Sequence, residues 1–178
     1  MNKLLLPLVL LFVSLTCFGC TELIEKWRQQ AEQGDAEAQC NLGLMYDFGY
    51  GVPEDDTEAA KWYRKAAEQG YATAQYNLAL MYADGEGAAK DDVEAVKWYR
   101  KAAEQGYATA QYNLALMYAN GSGVPEDYVE SYMWLNLAAA QGTEEAKQSK
   151  GILSEKMTKE QIAEAQKLSR EWLAKRQK

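Results

Sequence analysis

The chain has 178 residues, a quarter of them charged, a net charge of −7 and no histidine. Without histidine the commonest general base and the commonest metal ligand are missing together, which turns the search away from catalysis. The excess of acid disfavours nucleic acid, whose phosphates are neutralised by Lys and Arg. The charge is uneven: residues 20–142 hold 9 basic and 20 acidic side chains, whereas residues 143–178 hold 9 basic and 6 acidic. A solvated helix face accounts for the basic tail, and head-to-tail self-association is the alternative.

Taken in chain order, Lys3 supplies a positive start, Leu4 to Thr16 is almost wholly apolar, and Cys17-Phe18-Gly19-Cys20 follows. Residues 1–20 therefore form an export signal. The run falls short of the roughly 20 apolar residues that span a bilayer. Two processing routes fit. Cys17 and Gly19 meet the small-residue rule for general signal peptidase, and Gly19-Cys20 resembles a bacterial lipobox, which makes Cys20 the first mature residue and the lipidation site. Cys17 stands where the lipobox usually has Leu. An acyl anchor on Cys20 gives membrane association at about 0.8 kcal/mol per buried methylene. Thr21, where the inner-membrane retention signal has Asp, directs the expectation to an outer-membrane lipoprotein, with a soluble periplasmic or secreted form as the alternative. Cys40 reads as a small apolar helix residue. No CxxC pair marks a metal and no disulfide framework is present.

From residue 21 onward the chain repeats. Trp62, Trp98 and Trp134 stand 36 residues apart, and the 23 residues from Lys61 to Ala83 recur unchanged from Lys97 to Ala119. A period of this size marks helical units that bury a continuous core only by stacking. The units are a half repeat at 21–34, full repeats at about 35–70, 71–106 and 107–142, and a degenerate repeat helix with a C-terminal cap at 143–178.

One unit predicts two helices. Ala74, Leu78, Met81 and Tyr82 make a one-sided stripe at helical period, which is helix A. Glycine-rich loops follow at Phe48–Glu54, Asp84–Lys90 and Asn120–Glu126. A phosphate-cradling role for their GxG is rejected, because no strand precedes and no helix directly follows. Helix B opens with Asp55-x-x-Glu58, Asp91-x-x-Glu94 and Asp127-x-x-Glu130, each a capping-box pattern. Its stripe is Ala95, Trp98, Tyr99 and Ala102, and Arg100 and Glu104 are spaced for a surface ion pair. Gly34, Gly70, Gly106 and Gly142 end the B helices. The three period tryptophans are expected to be core between units. A last helix, about Thr158 to Lys175, opens with Thr158-x-x-Gln161.

The string Ala-x-Ala-Gln-Tyr-Asn-Leu-Ala-Leu-Met-Tyr-Ala-x-Gly-x-Gly, followed by Asp-Asp-x-Glu-Ala-x-Lys-Trp-Tyr-Arg-Lys-Ala-Ala-Glu-Gln-Gly, closely resembles the Sel1-like repeat, a relative of the tetratricopeptide repeat. The resemblance implies an all-α fold: a right-handed α/α solenoid of helix-turn-helix repeats whose A helices line the concave face, closed by a C-terminal capping helix. It also implies adaptor or assembly roles and no cofactor. Some secreted members, rich in paired cysteines, are associated with β-lactam binding, and this chain lacks those pairs.

If A helices line a groove, the positions off the core stripe are Cys40, Asn41 and Leu44, then Tyr76, Asn77 and Leu80, then Tyr112, Asn113 and Leu116. Asn offers donor and acceptor, and Tyr gives amphipathic area, so the ladder suits an extended peptide or a partner helix. The same residues also suit bonds between neighbouring units. Because equivalent groove positions are identical, the loops and the two ends are the other place for specificity. The expected function is a non-catalytic protein-binding scaffold or adaptor in the bacterial cell envelope. The alternative is a secreted binder of a small or polymeric envelope ligand, such as a peptidoglycan fragment or β-lactam.

Overall fold

The computed structural model describes residues 18–176, with side chains from Ile24 onward, and these residues are helical with no strand. The apolar leader lies outside the described residues, as does the side chain of Cys20. The helices are α1 (Phe18–Glu32), α2 (Ala36–Phe48), α3 (Asp56–Glu68), α4 (Ala72–Asp84), α5 (Asp92–Glu104), α6 (Ala108–Asn120), α7 (Tyr128–Ala140), α8 (Glu144–Ser154) and α9 (Lys159–Arg176). They form an α/α solenoid in which α2, α4, α6 and α8 are A helices and α1, α3, α5 and α7 are B helices.

Each of α3, α5 and α7 packs on the A helix before it and the A helix after it, and α1 packs on α2. The contact is built from alanine: Ala59, Ala66, Ala74, Ala95, Ala102 and Ala110 are fully buried, with Tyr63, Tyr99, Leu78 and Leu114 filling the space between the backbones. Such an interior tolerates little change in volume. Among the described residues no helix is long and apolar enough to cross a membrane.

A glutamine ladder links the units. Gln75 Nε2 donates to the carbonyl of Ala67 at the end of α3 (3.0 Å), and Gln105 Nε2, at the end of α5, donates to Gln75 Oε1 (2.7 Å). The pattern recurs as Gln69 to Gln39 to Ala31 and as Gln141 to Gln111 to Ala103. Gln39, Gln75 and Gln111 are buried, so each amide is satisfied only while three successive helices keep their spacing.

The B-helix caps differ from the capping box. Asp55, Asp91 and Asp127 accept from the amides of Glu58, Glu94 and Glu130 at 3.0 Å. The reciprocal half does not form. The amides of those aspartates donate instead to the carbonyls of Tyr46, Tyr82 and Tyr118, pinning the start of each B helix to its A helix. Glu58 and Glu94 are left to pair with Lys61 and Lys97. The full reciprocal box forms at α9, between Thr158 and Gln161. The expected Arg100–Glu104 pair is also absent: Arg100 donates to the Tyr118 hydroxyl, its guanidinium 5.7 Å from that ring centroid, as Arg64 does to Tyr82.

The expected capping helix is α9, and it packs on α7. Trp172 meets Trp134 edge-on at 6.1 Å, and Arg176 donates to the carbonyls of Glu104 and Gln105 at the end of α5. This placement explains why α7 carries Met133 and Leu137, both buried, where α3 and α5 carry exposed lysines. Ala146 and Leu153 keep the core register of earlier A helices, but other core positions of α8 have turned polar. Lys147, Lys150 and Gly151 replace Gln111, Leu114 and Ala115, and a Cβ at Gly151 would meet open space. A polar outer face is what closes a stack of repeats.

The loops are clamps. Gly87 (φ 66°) lies on the first turn of α3, and Gly123 (φ 66°) lies on the first turn of α5. A Cβ at either would overlap the carbonyl of Asp56 or Asp92. Gly87→Ala and Gly123→Ala should each cost at least about 2 kcal/mol, from the left-handed backbone plus displaced neighbours. Gly70→Ala, with nothing within 4 Å of its Cβ, should cost about 1–2 kcal/mol. Urea unfolding midpoints of the three variants test the order.

Candidate partner-binding face

The residues expected to form the A-helix ladder differ in exposure and in partners. Cys40 is 2% exposed, with its thiol pushed up to about 12 by burial and, second, by Glu37. It belongs to the core, which removes it from the contact surface. Asn41 and Leu44 beside it are half-buried.

On α4, Tyr76 is committed to the fold. Its ring lies 5.1 Å from that of Tyr107 and 6.0 Å from that of Tyr99. Burial, then the Tyr107 hydroxyl, pushes its own hydroxyl up to about 12, with Asn113 pulling the other way. Asn77 hydrogen-bonds the buried hydroxyl of Tyr63, which donates to Asp47 at 3.1 Å. Asn113 Nδ2 donates to the Tyr99 hydroxyl at 3.2 Å. Both asparagines thus hold a B-helix tyrosine in place. Leu80 is half-buried against the core.

Tyr112 is different although its helix repeats α4 almost letter for letter. The counterparts of Tyr99 and Tyr107 one unit further on are Leu135 and Thr143. Tyr112 consequently has no ring contact or hydrogen bond within the described residues, and it rests partly buried against the core. Leu116, one helical turn on, is half-buried. The next position in the ladder, on α8, is Ile152, which is 65% exposed. Sequence reasoning missed Ile152, and its signal was available: it keeps the register of Leu44, Leu80 and Leu116 on a helix some of whose core positions have turned polar. The ladder opens toward α8, where Lys150 and Lys156 sit 6.0 and 5.9 Å from the ring centroids of Tyr132 and Tyr128.

The B side carries the period tryptophans. Trp98 and Trp134 are 8% and 5% exposed and belong to the core, as expected. Trp62 is partly buried, packed against the core formed by Ala31, Ala38, Leu42 and Met45, and its open side lines a cavity of about 360 Å³ with Lys65, Arg64, Gly87 and Ala88. Among the described residues no group of three or more His, Cys, Asp or Glu is placed to hold a metal ion.

The Sel1 repeat model matches residues 36–71, 72–107 and 108–143, one residue from the expected boundaries. Among solved structures, a protective antigen present in uropathogenic Escherichia coli strains, displaying an SLR fold, matches with a TM-score of 0.79 and 36% identity. That match covers 86% of this chain and 33% of the antigen. A Sel1 repeat protein from Oxalobacter formigenes matches with a TM-score of 0.67 and 38% identity, over 75% of this chain and 58% of its own. Cysteine rich protein B of Helicobacter pylori, at 21% identity and a TM-score of 0.55, covers 70% of this chain and 92% of its own and shares the fold. The chain thus spans about a third and somewhat over half of the first two structures. No curated protein matches it.

The buried tyrosines set an alkaline limit. Burial raises Tyr63, Tyr76 and Tyr99 in the folded chain, Tyr76 from 10.0 to about 12. A group raised on folding adds stability that is whole below its unfolded pKa and is lost as pH rises toward the folded value. Stability should therefore be flat up to pH ~10 and fall steeply between ~10 and ~12. Phenolate absorbance followed beside helical circular dichroism checks this, with part of the absorbance rising only as the helices melt.

Proposed function

Because the chain belongs to the Sel1 repeat family, whose repeats generally serve as non-catalytic protein-interaction scaffolds, we propose that it is a scaffold or adaptor of the bacterial cell envelope that holds a protein segment on its A-helix ladder. The observation that carries this is the unpaired end of the ladder. Ile152 presents exposed aliphatic surface, and beside it Tyr112 and Leu116 are only partly buried, Tyr112 resting on the core with no ring or hydroxyl partner. Tyr76, Asn77 and Asn113 shape the floor from inside, Asn41, Leu44 and Leu80 continue it toward the N-terminus, and the lysines near α8 favour an acidic segment. Half-buried Tyr beside Leu suits an anchor pocket for one or two partner side chains.

The envelope setting rests on the apolar leader and on Cys20 as the first mature, lipid-bearing residue. Such an anchor holds the solenoid at a membrane while leaving the ladder free to bind.

Two outcomes test these assignments. Tyr112→Ala should cost less stability than Tyr76→Ala and remove the partner captured from crosslinked envelopes, whereas Tyr76→Ala should lose about 2–4 kcal/mol of stability through its lost ring contacts. Partner capture unchanged in Tyr112→Ala would move the site off the ladder. Separately, Cys20→Ser should abolish incorporation of labelled fatty acid and shift the protein from the membrane to the soluble fraction.

A further inference from the structure

The three period tryptophans occupy equivalent places on their B helices, yet each has a different cover. Trp134 lies under Trp172 of α9. Trp98, 8% exposed, lies in the register where the following loop reads Gly123-Val124-Pro125, with Val124 packed on the core. At Trp62 the corresponding loop reads Gly87-Ala88-Ala89, and the cavity of about 360 Å³ opens there, with Gly87 and Ala88 in its wall. The backbone is not the cause. Gly87 and Gly123 share a φ of 66°, and Asp91 and Asp127 make the same bond back to their A helices. The two loops differ here in their side chains, Val124-Pro125 against Ala88-Ala89.

The cavity is also chemically specific. Lys65 holds its ammonium 3.7 Å from the Trp62 ring centroid and has no carboxylate partner among the described residues, nor does Arg64, which donates to the Tyr82 hydroxyl. The cavity wall joins the indole to Lys61, Arg64 and Lys65 against Glu58 and Glu68, with Lys61 paired to Glu58, so it keeps a net positive charge on a body that is otherwise strongly acidic. Its volume falls within the range of ligand sites.

We infer that the Trp62 cavity is a second docking site, which takes an extended aliphatic–proline–acidic segment of a partner protein. The segment places its valine-proline pair where Val124 and Pro125 sit one unit later and aims its carboxylate at Lys65 and Arg64. The inference rests on the protein-binding reading above but uses none of the ladder residues, since no residue of α2, α4 or α6 lines the cavity.

The test uses the full chain and a blocked peptide with the sequence of residues 121–127, Gly-Ser-Gly-Val-Pro-Glu-Asp. Five tryptophans give five indole N–H resonances, and the Trp62 signal is assigned through Trp62→Phe. The expected result is a saturable shift of that resonance. The double variant Ala88→Val, Ala89→Pro should fill the cavity, raise the thermal midpoint and weaken peptide binding by about tenfold or more. The amide of Ala89 donates no backbone hydrogen bond within the described residues, so proline is accommodated. Lys65→Glu, an exposed change, should weaken binding several-fold without altering the fold, which keeps the proposal open to refutation if the double variant misfolds. Absence of a saturable shift at Trp62, unchanged binding in either variant, or saturation by free sugars or indole but not by the peptide overturns it. Tyr112→Ala should leave this titration unaltered, so failure of the ladder and failure of this site are told apart.

Discussion

The A helices α2, α4 and α6 each carry one buried glutamine that must bond two other helices at once, and the spacing of the stack follows from that requirement. Gln75 gives its amide hydrogen to α3 and receives one from α5. A buried amide left half-satisfied costs about 1–3 kcal/mol. Alanine-rich contacts by themselves would allow helices to slide, since small smooth surfaces discriminate weakly between registers. The glutamine removes that freedom once per unit, and the aspartate amide bonded to the preceding A helix removes it again at the other end of the B helix.

With the register fixed in this way, identity of sequence does not bring identity of environment. Two 23-residue copies fold into superimposable helices, but each side chain also looks at the unit ahead. Tyr76 looks at Tyr99 and Tyr107 and becomes interior. Tyr112 looks at Leu135 and Thr143 and stays only partly buried. Trp98, in the register of the Val124 loop, is 8% exposed, while Trp62, in the register of the Ala88 loop, is only partly buried and lines a cavity. Function in such an array therefore resides in mismatches between neighbours, and the non-repeating ends and loops confer individuality on residues they do not contain.

This also explains what was legible in advance. Helix boundaries, aspartate caps and the alanine–tryptophan core depend on local pattern within one unit, and the period displays them several times. The half-formed boxes at Asp55, Asp91 and Asp127 were not legible, because the competing acceptor is a carbonyl on another helix. Nor was the partnership of Asn113 with Tyr99, which joins positions 14 residues apart on adjacent helices. The seat of α9 was half-written in the chain: Met133 and Leu137 replace surface lysines of the earlier B helices, a sign that something covers α7. The glutamines were in plain view as part of the repeating string, but a polar residue on a helix is ordinarily solvated, and only the distances show it to be a strut.

The polar face of α8 bears on how such a protein changes length over generations. Lys150 and Gly151 stand where a further B helix would need leucine and alanine, so a unit added beyond α8 would find no apolar seat. A unit copied into the middle finds on both sides the glutamine acceptor, the glycine clamp and the alanine surface it needs. Gene duplication can thus lengthen the rod from within while both terminal surfaces are inherited intact, and the verbatim stretch shared by α4 and α6 is the pattern that such interior growth leaves behind.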